Sequence, residues 1–345
     1  MPSSDSFFKD VFRSFFKTFV KVIAFVIALF VIVVGLSTLS SGGGRYTTTE
    51  MLPNHNWKIH SFSTETPTIV QIPIQGTIGL NRVTTKEQLQ HVICDLIELD
   101  LKPGMLKAIL LNINSPGGTA EDSDAMMRML MEFKQKMKIP VYAYVDGLCA
   151  SGGLMVSLAA DKVIASSPSL IGSVGVILSP AFNFSQTMEK VGIQAVTIHA
   201  GKGKDELDPF RPWTPDEAAP IQAITNGLYD RFLSLVTTHR PRLTEEDLRD
   251  MGAKVVLAKE ALDLGFIDEI NDSYPNALEQ MASSLDIVNN YQIIELKPTI
   301  SLSELFSSDT SVIMRGVMHH HLRVPGDIDP ELQNKVLYLY TGSKK

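Results

Sequence analysis

Thiols are scarce in this chain. Its 345 residues hold two cysteines, Cys94 and Cys149, too few for a disulfide-built fold, which uses more at patterned spacings. Cys94 sits in the apolar run Val92-Ile93-Cys94 and is expected in the core. Cys149 lies in an apolar loop two residues before Ser151 and reads as a packing residue, since no histidine stands near it in sequence to activate a thiolate. Clustered basic charge is missing too. With 31 Lys and Arg against 38 Asp and Glu the net charge is −7, and no basic stripe or patch is present, which excludes a nucleic-acid partner. Metal-ligand spacing is absent as well: His319–His321 have no Asp, Glu or Cys at ligand distance in sequence, so neither metal nor cofactor is expected. Nor is there an internal repeat at a solenoid period.

Apolar residues are plentiful. They make up 44% of the chain against 20% charged, enough for a sizeable core in one larger domain with appendages. The longest apolar run is Val22–Leu39, uncharged and largely aliphatic. About 20 such residues span a bilayer core. Lys9, Arg13, Lys17 and Lys21 precede it, and only Arg45 and Lys58 follow closely. That bias places the N-terminus in the cytoplasm and the body outside it, on the extracytoplasmic side of the membrane. The run is longer than the apolar part of a usual signal peptide, and no Ala-x-Ala site follows, so an uncleaved single-pass anchor is the preferred reading.

The expected organisation is a cytoplasmic segment over residues 1–21, the anchor over 22–39, a linker over 40–66, an α/β domain over 67–284 and a tail of open role over 285–345. Tyr46–Thr66 reads as polar and irregular. Short apolar strands are expected at Thr68–Ile74, Ala108–Ile113, Val141–Val145, Lys162–Ala165 and Val174–Leu178. Helices are expected at Lys86–Leu99, Glu121–Lys138, Ser151–Ala160, Pro215–His239 and Ala258–Leu264, with Thr214 as the N-cap of the fourth. The methionines of the second helix read as core. This alternation implies stacked βαβ units with parallel strands.

Three glycine turns lie at strand ends: Ser115-Pro116-Gly117-Gly118, Ala150-Ser151-Gly152-Gly153 and Gly172-Ser173-Val174-Gly175. Glycines there bring backbone N–H groups close to a ligand. Ser151 follows a strand and opens a helix, which suits a nucleophile; it equally suits an N-cap, and local sequence does not separate the two. A serine nucleophile needs a base. His199 is the nearest histidine candidate, but the stretch Gly201–Phe210 places Lys202 and Lys204 among glycines just after an apolar strand expected at Gln194–Ile198. A lysine acts as a base only when neutral, which burial in an apolar cleft brings about. A solvated basic loop would look the same in sequence.

From about Thr68 to Ile270 the chain resembles the signal peptide peptidase A (SppA) family of bacterial serine proteases, in its short, single-repeat form. The resemblance rests on Asn114–Gly118, Tyr144–Gly153, Asp161–Ala165, Gly172–Val176, Gly201–Phe210, Thr214-Pro215 and Ala258–Ile267, all in the family's order. It implies a ClpP/crotonase-like fold of stacked βαβ units and a Ser–Lys dyad peptidase. Ser151 matches the nucleophile, Lys204 rather than Lys202 the general base, and Ser173 the serine that supports the lysine. Gly117 or Gly118 matches the oxyanion donor. It also implies hydrophobic peptide substrates such as signal-peptide remnants, and a homo-oligomeric ring or dome in which neighbouring copies complete each site. A catalytically dead scaffold and a crotonase-like acyl-CoA enzyme are the competing expectations.

Overall fold

The computed structural model describes residues 16–25, 27–28, 47–80, 84–298 and 336–339. The described residues fall into two units, 47–298 with 336–339 in one and 16–25 with 27–28 in the other. In the second unit residues 16–25 are helical. Most of the expected anchor over 22–39 lies outside the described residues, and among those described no helix is long and apolar enough to cross a membrane.

The larger unit is built on a nine-stranded sheet. The strands are β1 (Thr47–Leu52), β2 (Thr68–Gln75), β3 (Leu106–Ser115), β5 (Val141–Ala150), β6 (Lys162–Ala165), β7 (Leu170–Gly172), β9 (Val255–Leu257), β10 (Glu269–Ile270) and β11 (Gln292–Pro298). Their order is β1-β11-β2-β3-β5-β6-β10, with β7 off this path, pairing both β5 and β9. β2, β3 and β5 run parallel and are covered on both faces, which is why they read as near-continuous apolar runs. Pro73 is tolerated inside β2 because pairing with β11 stops at Gln71, so β2 has become an edge on that side. A three-stranded sheet has the order β4 (Gly117–Thr119), β12 (Val336–Leu339), β8 (Ile177–Leu178).

The helices of this unit are α1 (Lys86–Glu98), α2 (Ala120–Met137), α3 (Gly152–Ser157), α4 (Ser185–Lys190), α5 (Ala219–His239), α6 (Glu245–Met251), α7 (Ala258–Leu264) and α8 (Tyr274–Ser284). Thr119 caps α2, its hydroxyl accepting Asp122 N–H at 3.2 Å, and the helix buries Met126, Met127, Leu130 and Phe133. Those methionines are core, as their spacing predicts.

Several expectations need correction. The sheet is mixed, because β1–β11 and β7–β9 are antiparallel. The stretch expected to be irregular before Thr66 contains β1, and the expected tail contributes β11, which pairs parallel with β2 and buries Ile293, Ile294 and Leu296. Cys94 is exposed. Leu89, Val92 and Leu96 take the inner face of α1, and two residues beyond Val92 a helix has turned Cys94 outward. The long helix begins at Ala219 with no side-chain cap, so Pro220 falls in its first turn, where no intrahelical bond is lost. Thr214 instead closes a preceding turn with Glu217. Gln194–Ile198 forms no strand: Val196 and Ile198 are 86% and 95% exposed, and among the described residues no strand pairs with them.

Candidate active site

β5 ends at Ala150, and the chain turns at Ser151 into α3. Ser151 has φ 53° and ψ −115°, a left-handed conformation that costs a non-glycine residue on the order of 1–3 kcal/mol. Tertiary bonds hold it there. Ser151 N–H donates to Gly172 C=O at 2.8 Å, and Ala150 pairs with Gly172 across β5 and β7. α3 packs against β3, β4 and β12. It comes so close that a side chain at Gly153 would meet the Ser115 carbonyl oxygen at 2.9 Å. The Ser151 side chain makes no capping bond, and its buried Oγ has no hydrogen-bond partner among the described residues. The N-cap alternative therefore fails: a strained, buried hydroxyl with nothing to bond is costly unless it has another use.

Ser173 follows Gly172 as Ser151 follows Ala150, so β5–β7 pairing brings the two serines to neighbouring strand ends. Ser173 is buried, has φ 56°, and its N–H donates to Lys254 C=O at 2.7 Å. Gly172 must be glycine: its φ is +130° and an added Cβ would stand 2.6 Å from the Lys254 carbonyl oxygen.

The Gly117-Gly118 pair divides its duties. Gly117 N–H donates to Ser115 Oγ at 3.2 Å, and Gly117 C=O accepts from Ile78 N–H at 2.8 Å. Thr119 N–H donates to Ile78 C=O at 3.0 Å. Backbone groups alternate along a strand, so Gly118 N–H faces the other way, toward β12. Sequence treats the two glycines as equivalent; only Gly118 has an amide turned from its own β2-side neighbour.

Lys204 lies in an exposed turn, its N–H 3.3 Å from Gly201 C=O. Since Ser151 Oγ has no partner, the structure does not join these two side chains within one chain. His199 likewise turns to Asp205, at 3.5 Å. Cys149 is fully buried, and burial pushes its thiol up to about 12, which removes it as a nucleophile.

The lysine-bearing loop has an organiser that the sequence does not disclose. Arg211 Nε donates to Asp205 at 2.6 Å, its Nη2 donates to Asp205 C=O at 2.7 Å, and its Nη1 and Nη2 donate to both oxygens of Glu217. Glu217 also accepts Leu207 N–H, and Trp213 Nε1 donates to Asp208 C=O. Arg211 is six residues from each carboxylate, and no helical or strand period marks that spacing. The Arg211 bond, followed by those from the Leu207 and Thr214 backbone, holds the Glu217 carboxyl down to about 2. A depressed carboxylate contributes stability above its ordinary value of 4.5, and the contribution is lost as pH falls toward 2. In a Trp57→Phe background, Trp213 emission should report this loop opening over that acid window, and Glu217→Gln should remove the transition. An unchanged acid transition in that variant would place the loop's order elsewhere.

A strained serine at a strand–turn–helix junction, on a helix that packs against the strand bearing an outward-turned backbone amide, is an arrangement that suits a serine hydrolase. Residues 133–287 match peptidase family S49. A putative protease of Methanocaldococcus jannaschii is 35% identical over 212 residues, covering 61% of this chain and 66% of the relative. A putative signal peptide peptidase SppA of Enterococcus faecium is 30% identical over 210 residues, covering 59% and 60%. Protease 4 of Haemophilus influenzae is 34% identical over 223 residues, covering 62% and 35%. The chain thus carries a peptidase family S49 match over residues 133–287 and is similar to SppA-type proteases, and it spans less than two thirds of the length of these relatives. A ClpP1 mutant from Listeria monocytogenes overlaps 60% of this chain and 94% of its own at 20% identity, with a TM-score of 0.38. An overlap that loose carries no argument; the α/β fold stands on its strand pairings.

Proposed function

We propose that this chain is a membrane-anchored serine endopeptidase in which Ser151 is the nucleophile and Lys204 the general base. The observation that carries the reading is the strained, buried and unpartnered Ser151 hydroxyl within a family S49 domain. Neutral Lys204 takes the Ser151 proton as Oγ adds to a peptide carbonyl. Gly118 N–H stabilises the resulting oxyanion; Gly117, its amide committed to Ser115, shapes the turn. The protonated lysine gives its proton to the leaving amine as the C–N bond breaks. Water then attacks the acyl ester as Lys204 takes its proton, and the lysine returns that proton to Ser151 Oγ as the ester C–O bond breaks and the acid product leaves. Ser173 positions the lysine.

The base comes from a neighbouring copy. Two features support this: Ser151 Oγ lacks a partner among the described residues, and the segment leading to Lys204 leaves Phe182, Val191, Ile193, Val196 and Ile198 exposed, as a surface awaiting a like subunit would be. Substrates are hydrophobic peptides such as signal-peptide remnants. The apolar Val22–Leu39 run would hold the body at the extracytoplasmic face of the inner membrane, where such peptides are left.

The test is cleavage of a fluorogenic apolar peptide by the full chain in detergent, across mildly acidic to alkaline pH. Activity should vanish in Lys204→Ala. Retention of activity in Lys204→Ala would move the base to Lys202 or His199. A wild-type protein that neither cleaves nor takes up a serine-reactive probe would favour the scaffold reading.

A further inference from the structure

Carboxylates crowd the proposed base. Asp205 and Glu206 follow Lys204 directly, Asp208 comes four residues after it, and Glu217 bonds to the same loop through Leu207 N–H. A lysine on an exposed turn among such acids ordinarily pairs with one of them, and a paired ammonium keeps its proton. Here none of them takes it. Among the described residues neither Lys202 nor Lys204 has an ion-pair partner.

Each acid is occupied elsewhere. Arg211 Nε donates to Asp205 Oδ2 at 2.6 Å, and Nη1 and Nη2 donate to the two oxygens of Glu217. Nη2 also donates to Asp205 C=O at 2.7 Å, so the carboxylate and the carbonyl of Asp205 both face the guanidinium. His199 Nε2 stands 3.5 Å from the remaining oxygen, Asp205 Oδ1. Asp208 accepts from the Thr197 hydroxyl at 2.6 Å and from Phe210 N–H at 2.9 Å. Glu206 lies over Gly203. The Arg211 bond comes first among the causes that hold the Asp205 carboxyl below its ordinary value, and the Thr197 bond comes first for Asp208. A planar fork can serve two carboxylates and a carbonyl at once, which the point charge of a lysine cannot.

From this arrangement we propose that Arg211 is a positioning residue that keeps the base without a counter-ion: it draws the Asp205 carboxylate away from Lys204, so that the lysine can be presented neutral. The proposal rests on the reading of Lys204 as the base. Arg211 touches no reacting atom and acts through Asp205, the residue beside Lys204. Without Arg211, only His199 would stand against the Asp205 carboxylate. Glu217 would keep its bonds from Leu207 N–H and from Thr214, so the turn would retain part of its frame. A carboxylate released next to a lysine lowers the neutral fraction by about ten- to a thousandfold, and screening on an exposed loop puts the effect at the lower end.

The test compares Arg211→Met with the double variant Arg211→Met/Asp205→Asn, in the full chain in detergent, on a fluorogenic apolar peptide, with Lys204→Ala as the reference. Methionine fills the space of the arginine stem and removes its charge. Arg211→Met should lose about tenfold or more in kcat with KM changed by less than about twofold, and adding Asp205→Asn should restore most of that loss. Recovery on deleting a second member of the network is a result that a structural strut does not give, since each change removes further bonds from the loop. Trp213 emission, read in a Trp57→Phe background, reports the order of the loop in both variants. Equal activity of the single and double variants overturns the proposal, and displaced emission in both would make Arg211 a strut. An Arg211→Met that cleaves like wild type overturns it, as does a loss carried by KM alone, which would assign Arg211 to peptide binding. Activity surviving in Lys204→Ala is a separate result: it takes down the assignment of the base, and this proposal with it.

Discussion

Replacing Ser151 with alanine is expected to lower cleavage by a factor on the order of 10⁴ to 10⁶ while leaving the fold as stable as before, or more so. The two halves of that result come from one geometry. Ser151 Oγ is buried and bonded to nothing, so its removal breaks no hydrogen bond and relieves an unpaired polar group worth about 1–3 kcal/mol. Alanine keeps the same backbone strain at φ 53°. A serine kept for structure behaves in the opposite way, since losing a cap costs about 0.5–2 kcal/mol. Ser151→Gly extends the argument: it also relieves the left-handed strain and should melt higher still, equally inactive. Thermal unfolding alongside peptide cleavage separates the outcomes. A destabilised Ser151→Ala that still cleaves would return the residue to a structural role.

Gly118→Ala is expected to be the most damaging single methyl in the site. An added Cβ would stand 1.9 Å from the Ile78 carbonyl oxygen and 2.6 Å from its carbonyl carbon. Both are backbone atoms and cannot rotate aside, so β4 must leave Ile78 and carry Gly118 N–H with it. Overpacking of this kind costs about 1–3 kcal/mol, and misplacing one oxyanion donor costs about 10² to 10³ in kcat. The control is Gly227→Ala on α5, where an added Cβ meets nothing within 4 Å. There the same change should stabilise the helix by about 0.5–1 kcal/mol and leave turnover unaltered. Equal behaviour of the two variants would mean that β4 is not held against Ile78 in solution.

Much of this was legible in the sequence. The central strands announce themselves because burial on both faces demands unbroken apolar runs, and α7 and β6 fall where their patterns place them. Ser151 and Ser173 were visible as residues in glycine turns, yet their left-handed backbone and their neighbouring positions depend on β5–β7 pairing, which is non-local. β1 and β11 escaped notice because neither alternates clearly, and each is specified by its partner rather than by itself. The apolar run at Gln194–Ile198 misled because hydrophobicity reads as a strand even where no strand lies beside it. Cys94 misled because an apolar neighbourhood in sequence is not one face of a helix. The Arg211 network and the docking of β12 left no periodic trace at all.

The central claim is that Ser151 of one copy works with Lys204 of another, and mixing two dead proteins tests it most directly. Ser151→Ala and Lys204→Ala chains would be co-expressed, purified together and assayed on an apolar peptide beside each variant alone. If neighbours complete each site, random assembly pairs an intact serine with an intact lysine in about a quarter of sites, and activity returns to about that fraction of wild type. If the mixture is as silent as its components while wild type cleaves, the serine and its base belong to the same chain, and the shared site is wrong.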